Sequence, residues 1–317
     1  MPFLPVLAAV TVTLAALAAP PSSSADAAAA ASDVRSTRVR LSTGVTLEVA
    51  ERGAPDGEPV LFLHGYTDSW FSFSTVLDRL PPTIRAIVPT QRGHGDSERP
   101  ECCYRPADFA ADAVALLDAL GVPRAGHRTQ LAVRPEDDVR AEQWLARHAF
   151  EPGTPIYGFH GGASFGPSKL WYPERWAAVA DTLHARHGGR TLLFCGPGEE
   201  ETVRAIAAAA KSPVASAVDD PIDLRLLKAM AKRLALFVGT DAGPRHIAVA
   251  FDVPTVALLG STDPRFSNTN LQHSAVVRTG VECSPCHLKI CPIDHRCMTR
   301  MSAEMVLAAC ERVLAGA

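Results

Sequence analysis

Two glycine-containing loops in the second half of the chain carry residues suited to holding an anion. The first loop, Gly239 to Gly243, closes a predicted strand and opens a predicted helix, so its backbone N–H groups can face a ligand at the helix N-terminus. The second loop also follows a predicted strand and carries Ser164 and Lys169, and a lysine ammonium suits a phosphate as a point charge. Because ligands of open α/β sheets bind beyond the carboxyl ends of the strands, the two loops together predict a diphosphate site.

The elements that must position these loops alternate between strand and helix. From residue 150 onward this alternation predicts a mostly parallel sheet covered by helices on both faces. The predicted strands there are 155–159, 191–194, 234–238 and 254–259, and the predicted helices are 173–187, 199–210, 222–232, 244–251 and 303–314. In the first part of the chain the pattern predicts a hairpin over 37–50, strands 59–63 and 84–88, and helices 72–80 and 106–120.

Length and composition indicate an ordinary globular protein of about two domains. The chain has 317 residues, of which 47% are hydrophobic and 21% charged. Its net charge of −3 argues against nucleic acid as a partner. Residues 4–19 are apolar and uncharged and precede an Ala-rich stretch, which is typical of an export signal. No Lys or Arg precedes Arg35, so an Ala-rich disordered leader is the alternative.

From about Arg128 to Ala317 the chain resembles glycosyltransferase family 9, the ADP-heptose:lipopolysaccharide heptosyltransferases. The resemblance lies in four stretches, 162–171 (GASFGPSKLW), 194–199 (FCGPGE), 237–248 (FVGTDAGPRHIA) and 258–264 (LLGSTDP). It implies a donor half that binds an ADP-sugar and needs no cofactor for transfer. Ser164 and Lys169 would contact the diphosphate, and Glu199 would reach the ribose. The residues implied to line the phosphates and the sugar are Thr240, Asp241, Gly243 and His246. Asp241 has a second interpretation, as the N-cap of the following helix, and the two are compatible.

The family's N-terminal domain, which supplies acceptor contacts and a catalytic Asp, is not recognisable here. In its place, residues 39–125 resemble the N-terminal part of an α/β-hydrolase, through Phe62-Leu63-His64-Gly65 and the run Arg92 to Ser97. In that family the His-Gly turn helps to build an oxyanion hole. The nucleophile elbow is missing, because no Ser follows Gly126-His127. The run Gly162 to Gly166 does match G-x-S-x-G, but its neighbours fit the glycosyltransferase better.

Four cysteines lie within fifteen residues near the C-terminus: Cys283, Cys286, Cys291 and Cys297. This density is typical of metal ligands, and a structural Zn²⁺ held by four thiolates is one hypothesis. Two local disulfides in an exported protein, or reduced thiols in a loop, are the alternatives.

The sequence thus predicts an α/β protein with a Rossmann-like domain of the GT-B donor type and a parallel sheet, preceded by a truncated α/β-hydrolase-like βα segment. The expected parts are a leader (1–32), the hydrolase-like segment (33–125) and the nucleotide-sugar-binding domain (126–317). The expected function is transfer of an ADP-heptose-type sugar to a lipid-linked, lipopolysaccharide-core-like glycan, although the missing acceptor domain weighs against full activity. An esterase-like hydrolase and an inactive fusion of two truncated genes are the alternatives. The glycosyltransferase hypothesis places the chain in the cytoplasm or at the cytoplasmic face of the inner membrane, whereas the leader favours export.

Overall fold

The strands of the described chain form two sheets, one of four strands and one of six. The computed structural model describes residues 34–123, 129–267 and 272–316, and these divide into two compact units, 34–123 and 129–316. The expected leader and the expected boundary between residues 125 and 126 lie outside the described residues. In the described part of the chain, no helix is both long and apolar enough to cross a membrane.

The sheet of the N-terminal unit has the strand order β1-β2-β4-β3. Its strands β1 to β4 are Arg35–Arg40, Thr46–Arg52, Glu58–Leu61 and Ile84–Pro89. The predicted hairpin is confirmed, since β1 pairs antiparallel with β2, and β3 lies parallel to β4. Successive residues of β4 pack on opposite faces of the sheet, Ile87 in one hydrophobic cluster and Val88 in another, as the two-residue period of a strand requires.

Two helices belong to this unit, α1 (Ser74–Leu77) and α2 (Pro106–Ala119). The prediction for α2 is confirmed. The predicted helix over 72–80 is instead a 3₁₀ turn, Trp70–Phe73, followed by the single turn of α1. Only Leu77 of these two turns is fully buried, while Phe71 is exposed, so there is little packing to support a longer helix.

The sheet of the C-terminal unit is wholly parallel, with the order β10-β9-β8-β5-β6-β7. Its strands β5 to β10 are Ile156–His160, Arg190–Leu193, Val214–Ser216, Leu236–Thr240, Thr255–Leu258 and Ser274–Val277. The first, second, fourth and fifth of these match predicted strands. The two edge strands, β7 and β10, were not predicted.

Helices cover both faces of this sheet, as predicted. They are α3 (Pro135–Arg147), α4 (Pro173–His187), α5 (Glu200–Ala209), α6 (Leu224–Ala231), α7 (Gly243–Ala250), α8 (Arg296–Thr299) and α9 (Ala303–Ala315). In β8 the neighbours Phe237 and Val238 pack into different hydrophobic clusters, one on each face. Ser302 caps α9, as predicted, by accepting from the backbone N–H of Met305. Helices α3 and α8 were not predicted.

The strand order decides which loops meet at the carboxyl edge of the sheet. Strands β6, β5, β8 and β9 are consecutive neighbours, so the loops that follow them lie side by side. Each of the four stretches on which the family resemblance rests includes one of these loops.

Candidate functional site

Lys169 lies at the end of the loop that follows β5, and its side chain is only 10% exposed. Its ammonium donates to the backbone carbonyl of Asp241, with an Nζ–O distance of 2.7 Å, and lies 3.4 Å from Asp241 Oδ2. The ammonium also lies over the ring of Phe165, 5.0 Å from the centroid. The structure therefore brings the loops after β5 and β8 together through a buried cation. Ser164, on the same loop, is exposed.

Asp241 is the anionic centre of this group. One carboxylate oxygen lies 3.3 Å from Arg245 Nη2, and the other accepts from Thr262 Oγ1 at 3.0 Å. Burial alone would raise the pKa of Asp241, but Lys169 and Arg245 outweigh it and hold the pKa below its ordinary value. The alternative interpretation of Asp241 as an N-cap is wrong, because Ala242 occupies that position and makes no side-chain cap.

Arg245 belongs to the same group, and the sequence analysis missed it. It lies in the first turn of α7, and it is only 1% exposed. Its Nη2 donates to the carbonyl of Ser267, and its Nε is buried without a hydrogen-bond partner among the described residues. Burial lowers the pKa of Arg245, while Asp241 raises it. An Arg at the third helical position is ordinarily a surface residue, and only the tertiary structure shows that this one is covered.

Two further predicted residues flank the start of α7. The added Cβ of a larger residue at Gly243 would meet no atom of the described chain within 4 Å, so a ligand has room to approach this backbone. His246 is exposed, and its Nε2 lies 3.5 Å from Arg245 Nη2. Partial desolvation and the Arg245 charge lower the pKa of His246, which favours the neutral ring at neutral pH.

Thr240 lies deeper than expected from a residue that lines a ligand. It is fully buried at the end of β8, and its hydroxyl donates to the carbonyl of Gly162 at 2.6 Å. This bond ties the loop after β5 to the end of β8. The Thr240 hydroxyl therefore donates its hydrogen bond within the protein and not to a ligand.

Glu199 reaches the same edge from the loop after β6. Its Oε2 accepts from His160 Nε2 at 3.0 Å and from the backbone N–H of Gly196 at 2.8 Å. Burial alone would raise the pKa of Glu199, but the bond from His160 and the other contacts lower it. A Cβ at Gly162 would lie 2.0 Å from Glu199 Cδ, so the absence of a side chain there makes room for the carboxylate. His160 was not singled out from the sequence, and its position at a strand end was the available signal.

The cysteine-rich segment, residues 283–297, contacts the loop after β5 at this edge of the sheet. It holds Ser168, the neighbour of Lys169, at three points: the carbonyls of Leu288 and Lys289 accept from its Oγ and N, and His295 Nε2 donates to its carbonyl. The predicted metal ligands Cys283, Cys286, Cys291 and Cys297 are all free thiols.

Of the four thiols, Cys297 is buried and the other three are half-buried. Burial and the nearness of the other three raise the pKa of Cys297. Within the described ranges, no three His, Cys, Asp or Glu side chains are already arranged to hold a metal ion. The zinc hypothesis stays a prediction.

The hydrolase-like motifs of the N-terminal unit are also tightly bonded. The backbone N–H of Gln91 donates to His64 Nε2 at 2.8 Å. Arg92 and Asp112 form a buried pair with two contacts of 2.6 Å, which joins the second motif to α2. These contacts fix His64 and the loop that carries Arg92, but they supply no nucleophile.

Comparison with known proteins identifies both parts of the chain. The family model of glycosyltransferase family 9 (heptosyltransferase) matches residues 108–296, more than half of the chain, and that of the alpha/beta hydrolase fold matches residues 58–126. The two matches overlap over residues 108–126, which include most of α2, and α2 belongs to the N-terminal unit.

Among similar curated proteins is lipooligosaccharide heptosyltransferase 2 of Campylobacter jejuni, 31% identical over 163 residues, or 49% of this chain and 50% of that protein. The chain therefore spans about half the length of this relative. The 2-(acetamidomethylene)succinate hydrolase of Mesorhizobium japonicum is 39% identical over 76 residues, 24% of this chain and 27% of the hydrolase.

A solved structure supports the fold. The glycosyl transferase family 9 protein of Veillonella parvula superposes with a TM-score of 0.57 at 24% identity, covering 83% of this chain and 75% of that one. Together with the parallel six-stranded sheet, this likeness confirms the predicted Rossmann-like domain. The hydrolase-like character of the preceding segment is confirmed by its family match.

Proposed function

Because this chain belongs to glycosyltransferase family 9, the heptosyltransferases, we propose that residues 129–316 bind a nucleotide-activated sugar of the ADP-heptose type. The observation that carries the proposal is the buried Lys169–Asp241–Arg245 group at the N-terminus of α7. A diphosphate needs backbone N–H groups and a cation, and this edge of the sheet offers both.

Each residue of the site then has a distinct role. When a diphosphate binds, the Lys169 ammonium donates to a phosphate oxygen, either in place of the Asp241 carbonyl or in addition to it. The accessible backbone N–H groups around Gly243 donate to the same diphosphate. Ser164 is exposed and contributes a hydroxyl donor to the diphosphate. Glu199, fixed by His160 through Oε2, offers its carboxylate to the ribose hydroxyls. His246, which is exposed beside Arg245, would line the phosphates and the sugar.

Neither of the two carboxylates in the described site is suited to act as a general base on an acceptor hydroxyl. The pKa values of Asp241 and Glu199 both lie below the ordinary range, and a base with a low pKa accepts a proton poorly at neutral pH. We therefore propose donor binding as the function of this unit. Transfer to a lipid-linked, lipopolysaccharide-core-like glycan at the cytoplasmic face of the membrane would need a general base other than these two carboxylates.

Calorimetric titration of the full chain with ADP tests this function. We expect the chain to bind ADP, and we expect Lys169→Ala to weaken the binding by about 1.5–3 kcal/mol, the usual contribution of a hydrogen bond to a charged group. Lys211→Ala is the matched control, since Lys211 is exposed and follows α5, away from the carboxyl edge. Absence of ADP binding by the parent, or equal affinity in Lys169→Ala, contradicts the proposal.

A further inference from the structure

Arg245 places a second cation in a site whose single carboxylate already has one. The Lys169 and Asp241 side chains are 10% and 12% exposed, and that of Arg245 is 1% exposed. Two cations and one carboxylate leave one positive charge in excess. The other acidic groups of this edge are engaged elsewhere, Glu199 with His160 and Asp263 with Arg265.

A buried charge without a counter-charge is costly to the folded protein. Two observations indicate that the buried guanidinium is incompletely compensated. The Nε of Arg245 has no hydrogen-bond partner among the described residues, and burial lowers the pKa of the guanidinium. An anion bound beside Lys169 would offset the excess charge. The arrangement is thus better suited to the liganded state than to the empty one.

The guanidinium of Arg245 is buried, so it cannot contact a ligand directly. It acts instead on Asp241, whose Oδ1 it holds at 3.3 Å, while Thr262 and Lys169 face Oδ2. With Asp241 fixed and partly neutralised by Arg245, the Lys169 ammonium keeps more of its positive potential for a ligand.

We propose that Arg245 is a positioning residue that makes the site select ligands by their phosphate charge, favouring a nucleoside diphosphate over a monophosphate and over a nucleoside. The inference rests on the proposed donor site and deepens it. The selectivity arises because the excess charge stabilises a ligand in proportion to the charge that the ligand brings, whereas contacts to the base and the ribose are the same for all three.

The test compares the affinities of ADP, AMP and adenosine by calorimetry at low ionic strength. In Arg245→Met we expect ADP affinity to fall by about tenfold, AMP affinity to fall less, and adenosine affinity to stay unchanged. Arg245→Gln keeps an N–H donor for the Ser267 carbonyl but lacks the charge. We expect the same ranking of losses in this variant, largest for ADP, smaller for AMP and none for adenosine. The control is Arg190→Met, because Arg190 also has a buried Nε without a partner among the described residues but lies at the start of β6.

Two outcomes separate this inference from the function on which it rests. If the parent chain binds no ADP, the donor site itself is refuted. If the parent binds ADP and both Arg245 variants lower the affinities of all three ligands alike, or of none, Arg245 is only a structural residue and the inference is overturned. Should Arg245→Met fail to fold by circular dichroism, Arg245→Gln alone decides between these outcomes.

Discussion

Replacement of Thr240 by valine removes one hydroxyl from the point where two site loops are joined. Valine keeps the branched shape of threonine, so the change is confined to the bond between Thr240 Oγ1 and the Gly162 carbonyl, 2.6 Å long and buried at both ends. Loss of a donor to a buried polar group costs about 1–3 kcal/mol. For a unit of this size, 1 kcal/mol corresponds to a fall in Tm of roughly 2–4 °C, so we expect a fall of roughly 2–12 °C.

Urea and thermal unfolding of the purified chain measure this effect. The control is Thr182→Val: Thr182 Oγ1 donates to the carbonyl of Ala178 on an exposed helix surface, so its loss should change the free energy of unfolding by no more than about 0.5 kcal/mol. If Thr240→Val unfolds at the same urea concentration as the parent, the argument that this bond holds the site together is wrong. Because the Thr240 hydroxyl donates to the Gly162 carbonyl and not to a ligand, ADP affinity should fall less in Thr240→Val than in Lys169→Ala.

Four further predictions concern the rest of the chain. A fluorophosphonate probe should leave Ser164 unlabelled, because this loop fits phosphate binding and supplies no base to activate the hydroxyl; stoichiometric labelling would favour the hydrolase alternative. Limited proteolysis should cut first between residues 121 and 153 or within the N-terminal unit, since its four-stranded sheet has the smaller core; a more resistant N-terminal fragment would count against this. The pKa of Glu199 is lowered on folding, so its ionised form stabilises the protein above pH about 4.3 and that contribution disappears as the pH falls through the folded-state pKa. The stability difference between the parent and Glu199→Gln should therefore shrink on acidification, and a difference independent of pH would refute the assignment. Metal analysis after dialysis should find one Zn²⁺ per chain, lost in Cys291→Ser, if the four thiols form the predicted site; a metal-free parent would reject the zinc hypothesis.

Local sequence signals were sufficient for the elements whose residues carry their own periodicity or caps. Helix α4 was predicted with its observed bounds, 173–187, from the Pro in its first turn. The hairpin β1–β2 was predicted because its strands alternate polar and apolar residues around a Gly turn. The two loops of the candidate donor site were singled out for a similar reason: a strand end, a glycine and a helix start are adjacent in the chain.

Elements that depend on distant partners were missed. Helix α3 has three acidic residues in its first turn and buries only a narrow stripe, including Trp144, so its apolar content is low. The edge strands β7 and β10 are three and four residues long and exist because they pair with β6 and β9. Short segments of this kind have no periodicity long enough to identify them from sequence.

At the candidate site, the sequence shows which residue types stand at the strand ends, and the fold shows which contacts each of them makes. Lys169 and Asp241 were chosen separately, and the pairing of β5 with β8 places them 3.4 Å apart. Thr240 was expected to face the ligand, but in the fold its proton goes to Gly162. Arg245 drew no attention in the sequence because helical position does not reveal burial. The charge balance of the site depends on which groups the fold places within a few ångströms of one another and shields from water. These groups come from loops that are far apart in the chain, so their proximity cannot be read from the sequence.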